Sequence, residues 1–284
     1  MFSKIAISRM AIITLTSDMG DRDFYVAAVK GAILSRLPDS RIVDISHHIA
    51  PFDIAQASFV LRNSYPSFPQ GSIHIIGINP EKISRKGPFD MRDEAGHLVV
   101  RHKGHTFIGA DNGIFSLLFD EAPEEVFEIT IQLNEDPGGF PMKNVFAPIA
   151  CLLAAGTPLE EIGLPHAEIR ERAVFRPVVE SGMLKGTVIY IDFYGNVITN
   201  ITRELFEQVR KGRKFTLLFR SEDYEINEIS STYGDVPEGE KLALFGASGH
   251  LEIAINKGVE GSGGGASGLF GLKLNDTVRI EFED

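Results

Sequence analysis

The stretch ITLTSDMGDRDFYVAAVKG sets one carboxylate, Asp18, between a β-branched run and a glycine, with a helical pattern starting a few residues later. A strand ending in a tight turn at Gly20 would deliver that carboxylate to the carboxyl edge of a sheet, where open α/β folds bind ligands. An ionised carboxylate accepts two hydrogen bonds at once, which suits the vicinal diol of a ribose; it could equally cap its own turn. This strand–turn–helix unit carries neither GxGxxG nor GxxxxGK[ST], so dinucleotide-binding and P-loop readings lose their best support. Other groups able to move protons are His47 and His48, which follow the second apolar run, together with Glu81 and Lys143. A polar loop after a strand accounts for the histidine pair as readily as chemistry does.

The elements that must hold these residues follow from periodicity. Residues 11–15 read as a short buried strand. Asp23 stands where an N-cap belongs, before a helix over 25–37 with Val26, Val29, Ile33 and Leu37 at helical spacing and Pro38 beyond it. Strands at 42–45 and 72–78 bracket a helix over 53–65, in which Ile54, Ala57, Leu61 and Tyr65 share a face. A hairpin, 97–101 with 106–110, turns at Lys103-Gly104. A helix over 112–119, a strand over 126–131 and a helix over 144–155 closed by Gly156 complete the first half. Residues 11–168 are therefore expected to form an N-terminal α/β domain with a mainly parallel sheet flanked by helices.

Residues 169–182 read as a linker. Beyond them, 183–284 carries short strands at 187–191, 214–219, 224–229, 241–245, 251–255 and 277–282, with one helix at 203–211. That pattern predicts a C-terminal antiparallel β-barrel or sandwich domain. The glycine-rich segment 258–268 reads as a mobile surface loop and not as a packed element.

Composition narrows the class. The chain has 284 residues, 43 % of them apolar, enough for a real core. No apolar run approaches the roughly 18 residues of a membrane helix, and residues 1–15 have no small-residue cleavage site, so no signal peptide is read and Met10 offers a second possible start. The single cysteine, Cys151, lies in an apolar run and cannot form an intrachain disulfide, which makes a cytoplasmic location the simplest expectation. A net charge of −11 without a basic stripe argues against nucleic acid as a partner.

Four further stretches, SRIVDISHHIAPFDIAQASFVL, GINPEKISRK, GADNGIFSLL, and VIYIDFYGNVITNI followed by ASGHLEIAINKG, occur in that order after TLTSDMGDRDFYVAAVKG. Together they resemble the S-adenosylmethionine hydrolases (hydroxide adenosyltransferases) and the related fluorinases and chlorinases, whose opening motif is TLTTDFGxxDxYVGxMKG; here Ser17 replaces Thr and Met19 replaces Phe. The resemblance implies an α/β domain followed by a β-barrel domain, assembled as a homotrimer with S-adenosylmethionine as substrate or ligand between subunits. It implies no other cofactor and no metal. By motif position, Asp18 would hold the ribose hydroxyls, Phe52 would wall the ligand, Asp192 would take the methionine ammonium, Tyr194 would stack near the adenine, Asn196 would reach its polar edge, and Ser248 lies in the segment like the carboxylate-binding turn. Taken singly, Asn196 and Ser248 also fit ordinary turns, Tyr194 fits core packing, and Phe52 could staple the next helix.

In that family a nucleophile attacks the ribose C5′ and expels neutral methionine, and the hydrolases handle water with an Asp, an Arg and a His. Here Asn79 stands where the Asp is expected, Pro141 where the His is expected, and the basic position falls on Arg85 or Lys86 by register. An amide cannot take a proton as a carboxylate does, so hydrolysis is expected to be weak, with a catalytically impaired adenosyl-ligand binder as the alternative. The halogenases carry Tyr at the Asn79 position and a halide-contacting Ser at Met142, and a thioether is a poor partner for a small anion, so halogenation is disfavoured.

Overall fold

The computed structural model describes residues 11–81, 95–133, 139–259 and 264–283. The chain divides into two compact units, Met1–Arg172 and Ala173–Asp284.

In the first unit the strands are β1 (Ile12–Ser17), β2 (Arg41–Ser46), β3 (Ile73–Gly77), β4 (His97–His102), β5 (His105–Ala110), β6 (Glu125–Ile129) and β7 (Gly163–Pro165). The helices are α1 (Tyr25–Leu34), α2 (Ile54–Ser64), α3 (Ile114–Leu118), α4 (Ala147–Ala154) and α5 (Leu159–Ile162). The sheet runs β2-β1-β3-β5-β4-β6-β7. Strands β2, β1, β3 and β5 are mutually parallel, whereas β4, β6 and β7 add antiparallel edges. One face of the sheet packs Ile13, Leu15 and Ile75 against Val29 and Ile33 of α1 and Ile149 of α4. The other packs Ile76, Leu98 and Phe107 against Ala57 and Leu61 of α2 and Phe115 of α3. Full burial of such side chains contributes about 1.5–3 kcal/mol each, so this double core fixes the sheet edge that carries the candidate site.

Local chemistry explains the boundaries. Asp53 caps α2 by accepting the Gln56 N–H at 2.9 Å. Lys103 and Gly104 both take positive φ (49° and 76°), which closes the β4–β5 hairpin as a primed turn. Asp23 does not cap α1, as the sequence suggested: Phe24 is the N-cap residue and no side chain caps it. The expected helix over 144–155 opens instead with a π-turn, Met142–Phe146, that runs into α4. Cys151 is a buried residue of α4, as expected.

The second unit holds β8 (Val178–Glu180), β9 (Met183–Ile191), β10 (Val197–Thr202), β11 (Phe215–Phe219), β12 (Ser221–Ile226), β13 (Lys241–Phe245), β14 (His250–Ile255) and β15 (Thr277–Phe282), with α6 (Arg203–Arg210) and α7 (Ala266–Phe270). Its antiparallel order is β12-β11-β15-β9-β10-β14-β13, with β8 beside β9, and a bridge between Ile229 and Ala243 nearly closes it into a barrel. The core is aromatic and aliphatic: Phe206, Phe215, Leu217, Ile253, Val278 and Ile280. Of the mobile loop expected over 258–268, residues 260–263 lie outside the described residues, and its end is corrected: Ala266 and Ser267 are buried in α7 and Ser267 N donates to Gly195 O at 2.9 Å. No helix among the described residues is long and apolar enough to cross a membrane.

Candidate functional site

In unit 1 the parallel strands end together, so the segments after β1, β2, β3 and β5 share one edge. Gly20, at φ +66°, makes the turn after β1, and its N–H donates to His47 O at 2.7 Å. Half-buried Asp18 accepts the Phe52 N–H at Oδ2, 2.8 Å. That bond holds Phe52 at φ 66°, an unusual backbone for a non-glycine residue, with its ring 71 % exposed. An exposed aromatic ring beside a carboxylate with acceptor capacity to spare is an arrangement that can receive a polar, flat ligand.

The segment after β3 is tied down from two sides. Asn112 Nδ2 donates to Ile78 O at 2.9 Å and more weakly to Asn79 O at 3.3 Å, while His97 Nε2 lies 2.8 Å from Pro80 O. Asn79 is in left-handed backbone, φ 43°, which Asn and Asp tolerate best among residues with a side chain. Pro141 is buried at the start of the π-turn. Met142 is wholly buried, and its Sδ would lie 2.4 Å from a Cβ added at Gly77, so a glycine at the end of β3 is what lets the thioether pack there. Arg85 and Lys86 lie outside the described residues.

The proton-moving residues read from the sequence divide in two. His47 is buried, with Nδ1 2.7 Å from Ser17 Oγ. His48 is exposed, 3.4 Å from Asp21. Glu81 is exposed, and Lys143 Nζ donates to Asn144 Oδ1 at 3.1 Å.

In unit 2 the β9–β10 turn is organised by Asp192. Its Oδ1 accepts from Tyr194 N at 2.9 Å and Asn196 N at 2.8 Å, and its Oδ2 accepts from Asn196 Nδ2 at 2.9 Å. Asn196 is buried with one amide hydrogen committed to Asp192, leaving Oδ1 and the second amide hydrogen as the groups able to serve a ligand. Tyr194 is 56 % exposed, so it is not core packing. Ser248 sits elsewhere: β10 pairs Val197 with Ile253 but Thr202 with His250, which puts the β13–β14 turn beside the far end of β10. Ser248 Oγ there accepts weakly from His250 N, 3.4 Å.

Sequence reading passed over three features. His97, which opens β4, packs edge-on against Phe146 of the π-turn with ring centres 4.9 Å apart, and so joins the Pro80 and Met142 segments. Phe193 stands 85 % exposed next to Tyr194, and only its place inside the DFYGN turn could have marked it. Glu252 on β14 is buried and accepts the Tyr233 hydroxyl at 2.5 Å. Burial first, then the nearby Asp192 charge, raises the Glu252 carboxyl, against the lowering effect of the Tyr233 bond; burial and Glu252 push the Tyr233 hydroxyl up as well.

Residues 13–163 match the model of the SAM hydroxide adenosyltransferase N-terminal domain, and residues 186–279 match that of its C-terminal domain. A (R)-S-adenosyl-L-methionine hydrolase of Thermus thermophilus is 29 % identical over 278 residues, covering 93 % of this chain and 97 % of its own. One of the same name from Methanocaldococcus jannaschii is 31 % identical over 68 % of each chain, and a fluorinase of Actinoplanes sp. is 27 % identical over 86 % of this chain and 91 % of its own. The crystal structure of an uncharacterized conserved protein from Thermotoga maritima superposes with a TM-score of 0.78 at 28 % identity, covering 95 % of this chain and 99 % of that one.

Proposed function

Because this chain belongs to the SAM hydroxide adenosyltransferase family, we propose that it binds S-adenosyl-L-methionine and hydrolyses it slowly to adenosine and L-methionine. Asp18 holds the ribose hydroxyls and Phe52 covers one side of the nucleoside. The 192–196 turn takes the methionine ammonium on Asp192 and the adenine against Tyr194 and Asn196. The two groups of residues come from neighbouring copies in a trimer.

The observation that carries this reading is the Asp18 turn, with its carboxylate held at the carboxyl edge of the sheet beside an exposed Phe52 ring. In the reaction, a water oxygen forms a bond to C5′ as the C5′–sulfur bond breaks. The electron pair goes to sulfur, methionine leaves neutral, and the water gives up a proton to become the 5′-hydroxyl of adenosine. Holding water in line with the breaking bond and keeping other water out are the two ways this pocket contributes. With Asn79 and Pro141 at the water-handling positions, proton removal falls to solvent. Missing general-base assistance costs about 10²–10⁴-fold in rate.

The same two residues favour a second reading, a binder that holds the adenosyl ligand without turnover. Incubating purified protein with S-adenosylmethionine and chromatographing for adenosine separates them. Adenosine and methionine in equal amounts above the enzyme-free control support hydrolysis. Ligand-induced thermal stabilisation with no adenosine supports the binder, and neither signal removes both.

A further inference from the structure

Ser17, His47 and Asp44 form a chain behind the ligand-holding turn. Ser17 Oγ is 2.7 Å from His47 Nδ1, His47 Nε2 is 3.1 Å from Asp44 Oδ1, and Lys30 Nζ donates to Asp44 Oδ2 at 2.5 Å. The His47–Asp44 contact is off-axis, an ion-pair distance without a linear hydrogen bond. A carboxylate only accepts, so Asp44 favours a proton on Nε2, which leaves Nδ1 to accept from the Ser17 hydroxyl. Burial raises the Asp44 carboxyl, but the Lys30 hydrogen bond and the close His47 contact more than offset it and leave it below its ordinary value.

The order Ser–His–Asp invites comparison with a nucleophile and its base, but Ser17 is wholly buried at the end of β1 and presents no oxygen to a substrate. What the chain does is mechanical. The His47 ring holds the residue before Asp18, while the His47 carbonyl takes the N–H of Gly20, two residues after it. An irregularity in the β1–β2 register, where Leu15 faces Asp44 and Thr16 faces Ser46, inserts Ile45 as an extra residue in β2 just ahead of this grip.

We propose that His47 is a positioning residue for Asp18, fastening the 17–20 segment on both sides so that the carboxylate meets its ligand already oriented. This rests on Asp18 being the ribose-holding residue. Rigid support of a contact residue improves affinity by removing the ordering cost from the binding step.

The test uses adenosine as probe, titrated calorimetrically into the full-length protein and its variants. His47→Ala should weaken binding about tenfold, within the range of couplings between contacting residues. His47→Asn keeps a polar atom in place of Nδ1 and should restore most of the loss, and Ser17→Ala should behave like His47→Ala. In an Asp18→Ala background, His47→Ala should add no further loss, a result that general destabilisation would not produce. Wild-type affinity in both His47→Ala and Ser17→Ala, or a His47→Ala loss undiminished without Asp18, overturns the proposal. If the unaltered protein binds neither adenosine nor S-adenosylmethionine, the functional reading falls; where adenosine gives no heat, hydrogen exchange judges the brace separately. Faster exchange over 17–24 in His47→Ala or Ser17→Ala, with β9–β10 unchanged, upholds it, and unchanged exchange in both overturns it. Should His47→Ala fail to fold, Ser17→Ala and His47→Asn carry the same comparisons.

Discussion

Asn79 and Asp192 show how one side chain's identity decides what a site can do. Asn79 occupies left-handed backbone that Asp adopts about as readily, so Asn79→Asp should be accepted without moving the loop that Asn112 ties down. If proton removal is what limits this protein, Asn79→Asp should raise the turnover of S-adenosylmethionine at least about tenfold, and combining it with Pro141→His should approach the roughly 10²–10⁴-fold worth of general acid–base assistance. Initial rates of adenosine release measure this; rates unchanged in both variants would mean that water activation is not what these positions limit. Asp192 works differently. Three of its acceptor sites are already committed to Tyr194 and Asn196, so it shapes the turn before it meets any ligand.

Strand β3 carries His74 into the middle of the first unit, where it bridges Thr14 of β1 and His105 of β5 at 2.7 and 3.1 Å. Burial, with His105 as the second cause, pulls the His74 imidazole down to about 3, and burial also lowers His105. The folded protein thus keeps His74 neutral where an unfolded chain would bind a proton. This group's contribution to stability is full above its ordinary value near 6.5 and is lost progressively as the pH falls toward 3. From pH 7 to 4.5 the loss should reach at most about 3 kcal/mol, and His74→Gln should flatten it. Urea midpoints at the two pH values measure both, and equal slopes for the two proteins would contradict the assignment. Such elements differ in how far sequence announces them. The turn at Lys103-Gly104 is local chemistry and is legible from neighbours alone, whereas Asp53 reads as the first residue of its helix but caps it, and the cap read at Asp23 is not made. Strand β10 was not separated from the run VIYIDFYGNVITNI because Asp192, which reverses the chain there, acts through bonds to backbone N–H groups that no side-chain pattern displays. Helix α7 hides in glycine-rich sequence because Ala266 and Ser267 are buried against the barrel, a tertiary effect. In the site, Asp18 and Phe52 were legible as separate residues, but their contact through the Phe52 N–H was not.

Across the whole chain, the residues of the proposed site lie in two units, Asp18, Phe52 and Asn79 in the parallel-sheet unit and Asp192, Tyr194 and Asn196 in the nearly closed antiparallel barrel. The family match spans both units, so the ligand chemistry is expected to draw on both. A ligand that binds only the folded protein raises its stability by mass action, about 2.7 kcal/mol at a hundredfold excess over Kd. The most direct measurement is a calorimetric titration of the protein with S-adenosylmethionine, repeated with Asp18→Ala and with Asp192→Ala. The expected result is saturable heat for the unaltered protein and loss of at least about tenfold in affinity, 1.4 kcal/mol, for each variant. No heat with the unaltered protein, or binding that neither substitution disturbs, would contradict the account.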